Sequence, residues 1–396
     1  MFERIYLIIL DGVGCGESKT SEQYGDKGAN TLASIARVNP DLQLPTLSRF
    51  GLGNLLGLSL FQQNEYFSSF VTRSDFKSLG KDSTTGHWEI AGLVSDKDFA
   101  YFPEGFQDEI VNEIIENSDI DGFLGNKAAS GTEIIKELGT KHINSGKPIL
   151  YTSADSVLQI AAHEEKFGLE RLYKLCEVSR KVADKFNISR VIARPFVGKT
   201  ARSFKRTTNR KDYSIAPPGK TILNVLSDNK VTTASVGKIK DLFSMSGIDK
   251  VYEAHTNPEA YEVLNNIAGK FDTERFVFVN LIDFDTLYGH RRDAAAFGQA
   301  LREFDDFLGK WLTRLHNDTL VLLTADHGCD PDFKGTDHTR ECVPLIALSP
   351  LFRKGYVDFR IRNSTADIAA TIADNFNIHE KVLAGTSFLN IVKSLA

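Results

Sequence analysis

The sequence has few cysteines and no long apolar run. Its four cysteines, Cys15, Cys176, Cys329 and Cys342, form no Cys-x-x-Cys pair, so we expect free thiols rather than disulfides or a zinc site of that type. The apolar run near the N-terminus, Ile5–Leu10, is far too short to span a membrane and ends in an acid. We therefore expect a cytoplasmic protein with no membrane partner.

The chain also lacks an excess of basic residues. It has 47 Lys and Arg against 52 Asp and Glu, a formal net charge of -5, which argues against nucleic acid as a partner. No internal repeat and no low-complexity tract is present. A length of 396 residues exceeds one ordinary hydrophobic core and predicts about two domains. This length, this net charge and the absence of repeats are typical of an enzyme.

Three of the strongest apolar runs are each followed closely by acidic residues. In an open parallel α/β sheet, ligands bind beyond the carboxyl ends of the strands, so three such strands would bring their acids to one crevice. Histidines follow two of the runs, and oxygen and nitrogen donors together suit zinc, manganese or iron. The sequence therefore predicts a site for one or two divalent metal ions. The runs and the residues that follow them are Ile5–Leu10 with Asp11, Phe276–Ile282 with Asp283, Asp285 and His290, and Leu320–Leu323 with Asp326, His327 and His338.

Each of these residues has a structural alternative when it is taken alone. The pair Asp326-His327 could be a turn residue beside a surface imidazole. Asp11 could be a turn residue before Gly12, and Asp285 could be a helix N-cap. None of these alternatives predicts acids after all three runs, and the metal interpretation does.

Strand and helix patterns alternate on both sides of a central segment. This alternation predicts an α/β fold with a mostly parallel sheet between helices. The central segment has its own strands and helix, and it closes at Ala216-Pro217-Pro218-Gly219. Because predicted ligands lie on both sides of it, we expect residues 99–218 to be an inserted cap domain and residues 1–98 and 219–396 to form the core. Predicted cap elements are strands Ile149–Ser153 and Arg190–Phe196 and helix Leu169–Lys185; predicted core elements include strands Val231–Val236 and Leu345–Leu348 and helices Thr31–Arg37, Thr221–Asp228, Ala294–His316 and Thr365–Phe376.

A hydroxyl-rich loop offers a nucleophile. It carries Ser83, Thr84 and Thr85 ahead of the predicted helical stretch Trp88–Leu93. A hydroxyl at a helix N-terminus lies where backbone N–H groups favour an anion, which suits a residue that becomes phosphorylated. A metal ion beside the oxygen would make it a stronger nucleophile. Locally, helix capping is the simpler interpretation, and the nearby metal ligands favour the catalytic one.

Longer runs resemble the phosphopentomutase family of the alkaline phosphatase superfamily, whose members transfer phosphoryl groups with two metals. The resemblance spans nearly the whole chain. It implies an alkaline-phosphatase-like core and interconversion of ribose 1-phosphate and ribose 5-phosphate, or of the deoxyribose analogues. The reaction would pass through a phosphoserine form of the enzyme and a pentose 1,5-bisphosphate intermediate. The matching runs are Leu10–Gly14, Gly80–Glu89, Gly125–Glu133, Tyr151–Glu165, Arg190–Gly198, Asp283–Asp293 and Thr324–Arg340.

The resemblance also implies a metal set. Two Mn²⁺ ions, or other divalent ions, would both contact the phosphorylated hydroxyl, which aligns with Ser83, and a sugar bisphosphate would prime it. The chain departs from the family pattern in having serine where threonine is usual, and Thr84 and Thr85 stay open as alternatives. It departs again at Cys329, where asparagine is common, which bears on hydrogen bonding around the metals. The implied ligands are Asp11, Asp326 and His327 for one ion and Asp285, His290 and His338 for the other.

Substrate contacts follow from the same family pattern. Arg194, with Arg206 or Arg210 and with Lys238, would hold the substrate phosphate. Asp155 would bind sugar hydroxyls, because an ionised carboxylate offers only acceptors. The alternatives for the basic segment 199–220 are a solvated charged loop and a nucleic-acid patch, and the second lacks interleaved aromatic residues because only Phe204 and Tyr213 lie nearby. The alternative for Asp155 is an Asx-turn.

Three rival functions share this core: a phosphate or sulfate ester hydrolase, a phosphoglycerate mutase, and a metal-stabilised binding protein without catalysis. The chain has no Cys-x-Pro-x-Arg run to supply a sulfatase nucleophile. The intact nucleophile and ligands argue against a non-catalytic protein. The oligomeric state is not indicated by the sequence.

Overall fold

The computed structural model describes residues 2–153, 156–270, 274–379 and 383–396. The chain folds into two compact units. We call the first the core unit; it comprises residues 1–97, 217–240 and 245–396. We call the second the inserted unit; it comprises residues 98–216 and 241–244. A role for the inserted unit as a cap stays a prediction.

The described residues form two β-sheets. The strands of these sheets are β1 Arg4–Leu10, β2 Phe70–Ser74, β3 Leu124–Ala128, β4 Ile149–Thr152, β5 Val157–His163, β6 Arg190–Val197, β7 Lys205–Arg206, β8 Lys211–Ser214, β9 Thr233–Val236, β10 Lys250–Tyr252, β11 Phe276–Leu281, β12 Thr319–Thr324, β13 Val343–Leu348 and β14 Tyr356–Arg362.

Helices connect most of these strands. Those described are α1 Thr31–Val38, α2 Pro45–Arg49, α3 Leu52–Leu56, α4 Ser83–Ile90, α5 Asp108–Glu116, α6 Gly131–Ser145, α7 Leu169–Lys185, α8 Ile222–Asp228, α9 Ile239–Leu242, α10 Asn257–Ile267, α11 Ala294–Leu312, α12 Asp367–Asn375 and α13 Leu389–Lys393, with a 3-10 turn at Ser21–Tyr24 and π-helical turns at Glu164–Gly168 and Phe284–Gly289.

The core unit is built on an eight-stranded sheet in the order β10-β9-β11-β1-β12-β13-β2-β14. Only β13 among these strands runs against the others, because it pairs antiparallel with both β12 and β2. The strands at the centre are apolar and buried on both faces, as expected where helices cover a parallel sheet. The predicted α/β fold with a mostly parallel sheet is confirmed.

The inserted unit has its own mixed sheet in the order β3-β4-β5-β6-β7, with β8 paired to β6. Helix α7 spans Leu169–Lys185, the range predicted from its periodicity. Strand β5 was not predicted, because Gln159 and His163 interrupt its apolar run although both are buried. Its apolar residues join two buried clusters within the unit.

The helix predicted at Trp88–Leu93 was misplaced. Helix α4 begins at Ser83, because the Asp82 carboxylate accepts the backbone N–H groups of Thr84 and Thr85 at 2.9 and 3.1 Å and caps the helix there. Ser83 is therefore the first residue of α4 rather than part of a loop ahead of it.

Candidate active site

The register of the central strands brings three acids to one edge of the core sheet. Leu10 at the end of β1 is paired with Leu281 of β11, and the preceding residue Ile9 is paired with Thr324 of β12. The residues that follow the ends of β1, β11 and β12 include the acids that were predicted to converge. Asp11, Asp285 and Asp326 are 0, 3 and 1 % exposed.

His327 forms one group of donors with two of these acids. Its Nδ1 lies 3.1 Å from the Gly328 carbonyl oxygen, so this nitrogen carries the proton and donates it. Its Nε2 lies 3.4 Å from Asp11 Oδ1 and 3.3 Å from Asp326 Oδ2. Burial disfavours the charged ring, but Asp326 and Asp11 outweigh burial and raise the pKa of His327 well above its usual value, so a metal ion at Nε2 would take the place of a proton there.

His290 and His338 are held in the same way beside Asp285. Their Nδ1 atoms donate to the carbonyl oxygens of Thr336 and Lys81 at 2.7 and 3.1 Å. Their Nε2 atoms lie 3.0 Å apart and 3.5 and 3.4 Å from the Asp285 carboxylate. Two neutral Nε2 lone pairs cannot hydrogen-bond to each other, and a cation between them would satisfy both.

Unpartnered oxygens test whether these residues fit metal ions. Within the described residues, Asp11 Oδ1, Asp285 Oδ1 and Asp326 Oδ2 are buried and accept no hydrogen bond of good geometry; their polar neighbours are histidine ring nitrogens at 3.1–3.4 Å. Leaving a charged acceptor in that state costs at least about 1–3 kcal/mol. The donor set of carboxylate oxygens and imidazole nitrogens suits divalent transition metals. All six predicted ligands lie in this cluster, and Asp285 can also group with His327 and His338.

The same cluster perturbs the ionisation of its acids. Burial opposes the charge on Asp326, but His327 and His87 outweigh it and hold the pKa of Asp326 well below its usual range. Burial likewise opposes the charge on Asp285, and the neighbouring histidines, His338 foremost, lower its pKa. Both acids are therefore poised to be carboxylates, the form that binds a cation.

Ser83, the first residue of α4, places its hydroxyl against this cluster. Its Oγ lies 3.1 Å from His327 Nε2 and accepts a hydrogen bond from Lys238 Nζ at 3.1 Å. The Thr85 hydroxyl instead donates to the Asp82 side chain at 2.6 Å. The geometry thus favours Ser83 over Thr85 as the nucleophile.

A close approach between helix α4 and the loop after β12 fixes this arrangement. An added Cβ at Gly86 would lie 2.0 Å from the Asp326 carbonyl oxygen, so only glycine lets α4 pack against the Asp326 loop.

Lys238 follows β9 and lies between the nucleophile and an acid. Its Nζ forms a short ion pair with Asp11 Oδ2 as well as the bond to Ser83. Burial disfavours its charge, but Asp11, Asp326 and Asp285 outweigh burial and raise the pKa of Lys238. The ammonium is therefore charged beside the Ser83 oxygen, where a phosphoryl group would be attached.

Two further residues of the site were missed by sequence reasoning. Asn280 Nδ2 donates to Asp11 Oδ2 at 2.9 Å and lies 3.2 Å from His87 Nε2. His87 Nδ1 lies 3.1 Å from Asp326 Oδ2 and 2.8 Å from the Ser83 carbonyl oxygen. The pair thus links the carboxylates of Asp11 and Asp326. A single amide inside the apolar run Phe276–Ile282 was the signal that could have revealed Asn280.

Buried groups hold the loops behind the cluster. Glu341 accepts hydrogen bonds from Gly16 N–H, from Thr31 N–H and hydroxyl, and from the Thr339 hydroxyl at 2.7–3.1 Å. Burial raises the pKa of Glu341 to about 7.

Cys329 is buried beside Asp285 and His290, and burial raises the pKa of its thiol well above the usual value. Its sulfur can group with Asp285 and His290, which goes beyond the hydrogen-bonding effect expected from the sequence.

The predicted substrate residues of the inserted unit gather around one tyrosine. Burial raises the pKa of Tyr151, and the charges of Arg194, Arg206 and Arg210 oppose that rise. Arg194 Nε donates to Gln159 Oε1 at 3.0 Å, and Arg210 forms two 2.6 Å bonds to the Asp212 carboxylate. Asp155 lies outside the described residues.

The chain matches the metalloenzyme superfamily over residues 3–380. It is 46 % identical over 389 residues to the phosphopentomutase of Syntrophotalea carbinolica, covering 98 % of each chain. The chain therefore belongs to the metalloenzyme superfamily and, within it, to the phosphopentomutase family of isomerases, which confirms the resemblance.

Solved structures are more distant. Phosphoglycerate mutase of Leishmania mexicana is 11 % identical with a TM-score of 0.48, covering 98 % of this chain and 97 % of the other. The lipoteichoic acid synthase LtaP of Listeria monocytogenes is 10 % identical with a TM-score of 0.44, covering 98 % of this chain and 76 % of the other. In the part of the chain that the structure describes, no helix is long and apolar enough to cross a membrane.

Proposed function

We propose that this protein is a phosphopentomutase that interconverts ribose 1-phosphate and ribose 5-phosphate, and the deoxyribose analogues. The observation that carries the proposal is the position of the Ser83 oxygen, 3.1 Å from both His327 Nε2 and Lys238 Nζ, beside a buried cluster of three acids and three histidines. Membership of the phosphopentomutase family supports the choice of substrate.

Ser83 carries the phosphoryl group between two sugar positions. Phosphoserine at this position gives its phosphoryl group to the free hydroxyl of a pentose monophosphate. The bond from phosphorus to Ser83 Oγ breaks, a bond to the sugar oxygen forms, and the hydroxyl proton ends on Ser83 Oγ. The resulting 1,5-bisphosphate then reorients and returns its other phosphoryl group to Ser83, so no net phosphate is consumed.

The surroundings of Ser83 stabilise charge on the transferred group. The Lys238 ammonium donates to the Ser83 oxygen and offsets the negative charge of a phosphoryl group attached there. Ser83 is the first residue of α4, so the N–H groups and dipole of that helix favour an anion at the same place. Asn280 and His87 hold the carboxylates of Asp11 and Asp326 in position.

Two divalent ions, for which we propose Mn²⁺, would be held by Asp11, Asp326 and His327 and by Asp285, His290 and His338. When bound, such ions stabilise attacking and leaving oxygens of an in-line phosphoryl transfer. A sugar bisphosphate would supply the first phosphoryl group to Ser83.

We assign substrate holding and water exclusion to the inserted unit. Arg194, with Arg206 or Arg210, would bind the phosphate that is not being transferred, and Asp155 would bind sugar hydroxyls. Excluding water separates a mutase from a phosphatase, because water would otherwise accept the phosphoryl group.

A substrate comparison tests the proposal. The Mn²⁺-loaded protein is supplied with a sugar bisphosphate primer and assayed on ribose 1-phosphate, 3-phosphoglycerate and p-nitrophenyl phosphate. We expect isomerisation of the pentose phosphate and little turnover of the other two. Isomerisation of phosphoglycerate, or hydrolysis of all three, would assign the protein to one of the rival enzyme classes.

A further inference from the structure

Arg340 is a buried arginine whose guanidinium binds the protein backbone. A guanidinium offers five N–H donors in a rigid fork, and here the fork is used on main-chain carbonyl groups and one hydroxyl. An arginine used in this way fixes a stretch of main chain. Its Nη atoms donate to the carbonyl oxygens of Phe76, Ser78 and Gly80 at 2.7, 2.9 and 2.5 Å, and its Nε donates to the Thr20 hydroxyl at 3.0 Å.

The stretch that Arg340 holds leads directly to the nucleophile. Residues 75–82 connect β2 to α4, and α4 begins at Ser83. The N–H groups of this connection are bound as well. The Glu89 carboxylate accepts two of them at 2.6–3.1 Å, and the Tyr24 hydroxyl accepts a third at 3.0 Å. Because both its N–H and its C=O groups are bound, the connection sets where α4 begins.

The chain next to Arg340 also carries a proposed metal ligand. His338 lies two residues before Arg340, and its Nδ1 donates to the Lys81 carbonyl oxygen at 3.1 Å. Between them, Thr339 exchanges backbone hydrogen bonds of 2.8 and 3.0 Å with Gly328 in the loop after β12. The chain at Arg340 therefore joins the metal cluster to the connection that carries the nucleophile.

Phosphoryl transfer depends on the position of the Ser83 oxygen. This oxygen lies 3.1 Å from both His327 Nε2 and Lys238 Nζ. A displacement of a reacting group by about 1 Å can cost about 100-fold in rate. Arg340 makes neither of these two contacts, so any effect that it has on the nucleophile passes through the backbone that it holds.

We infer that Arg340 is a positioning residue, which holds the Ser83 oxygen at the metal cluster by fixing the backbone of residues 76–80. The inference rests on the proposed function, in which Ser83 carries the phosphoryl group. Changing Arg340 should displace the nucleophile and leave the proposed metal ligands and substrate residues in place.

Arg292 offers a matched control, because its guanidinium also binds three main-chain carbonyl groups. The loop that it holds leads to His338, so Arg292 should support a proposed metal ligand rather than the nucleophile. Its donors go to the carbonyl oxygens of Asp330, Gly335 and Asp337.

The test compares phosphorylation of Ser83 in Arg340→Lys and Arg292→Lys, each of which keeps the positive charge and loses the planar fork. The Mn²⁺-loaded proteins are mixed with ribose 1,5-bisphosphate, and the gain of a phosphoryl group is followed in time by intact-mass spectrometry. Metal content and ribose 5-phosphate affinity are measured on the same samples. We expect Arg340→Lys to be phosphorylated about 10–100-fold more slowly than the parent, with both ions bound and unchanged ribose 5-phosphate affinity. Excess Mn²⁺ should restore the rate in Arg292→Lys and not in Arg340→Lys.

A milder second variant covers the case in which Arg340→Lys does not fold. Tyr24→Phe removes only the acceptor of the Gly80 N–H group and should slow phosphorylation by a smaller factor, again with both ions bound. An unchanged rate in this variant would then decide against the inference.

Three results for a folded Arg340→Lys would overturn the inference. They are phosphorylation at the parent's rate, a deficit that excess Mn²⁺ removes, and a deficit accompanied by loss of both metal and ribose 5-phosphate affinity. If the parent gains a phosphoryl group on Ser83 but does not isomerise ribose 1-phosphate, the proposed function falls, and the phosphorylation rates still decide the role of Arg340.

Discussion

The Nε2 atoms of His290 and His338 lie 3.0 Å apart, although the other nitrogen of each ring faces a backbone carbonyl oxygen. Both rings are thereby fixed in the tautomer that presents a lone pair to the other. Such a contact is stable only when a positive charge, a proton or a metal ion, lies between the lone pairs. A metal ion between the two lone pairs would satisfy both, which supports the proposed ligand roles, and the Asp285 carboxylate lies within 3.5 Å of each ring.

Removing one histidine of this pair should remove metal and activity together. We expect His338→Ala to lose one of two bound ions and nearly all isomerase activity, because the imidazole is a direct ligand in our account. Metal content is measured by atomic emission after dialysis. The matched control is His255→Ala, an exposed histidine that belongs to none of the possible metal-binding groups, which should keep both ions. Full metal content in the His338 variant would refute the ligand assignment.

The nucleophile is tested by locating the phosphate. Ser83→Ala should accept no phosphoryl group from ribose 1,5-bisphosphate, whereas Ser83→Thr should retain substantial activity because the oxygen is kept. Mass spectrometry of tryptic peptides from the parent protein should place the phosphate on Ser83. A phosphate on Thr84 or Thr85 would contradict the choice of residue while leaving phosphoryl transfer in place.

The link between His87 and Asn280 should tune metal binding. We expect His87→Ala to weaken Mn²⁺ binding about 10–100-fold, because Asp326 loses the partner that orients it. Asn280→Ala should act in the same direction through Asp11. Calorimetric titration with Mn²⁺ gives the affinities. Unchanged affinity in both variants would mean that the carboxylates are oriented by other contacts.

Glu341 should make stability depend on pH. Burial raises its pKa from 4.5 to about 7, although the hydrogen bonds donated by Thr339, Thr31 and Gly16 act to lower it. Between these values the folded protein holds a proton that the unfolded chain releases. The free energy of unfolding therefore falls as pH rises through this window, by on the order of 3 kcal/mol, and the proton-linked stability is complete below it.

Urea unfolding of metal-free protein at about pH 5 and about pH 8 measures this effect. The variant Glu341→Gln cannot titrate at this position, so we expect its stability to change less between the two conditions. Equal pH dependence in parent and variant would assign it to other groups.

The sequence predicted that the acids and histidines gather, because the signal for each of them is local. An acid at the end of a buried strand can be read from a few neighbouring residues, and strand register then brings Asp11, Asp285 and Asp326 together. The start of α4 was misplaced, because capping by Asp82 outweighs the weak helical pattern of the hydroxyl-rich loop. The contact between the Tyr151 hydroxyl and the start of α6 could not be foreseen, because it depends on how β4 and α6 pack together, which no local sequence pattern records. The roles of the ligands and of Ser83 stay predictions until they are measured.

The central claim is tested most directly by following phosphorus in a single reaction. The Mn²⁺-loaded protein, primed with a catalytic amount of ribose 1,5-bisphosphate, is incubated with ribose 1-phosphate and observed by ³¹P NMR. We predict that the resonance of the C1 phosphate is replaced by that of the C5 phosphate, with the total phosphate ester constant. Release of inorganic phosphate in place of the C5 ester, or no change at all with both metals bound, would contradict the account.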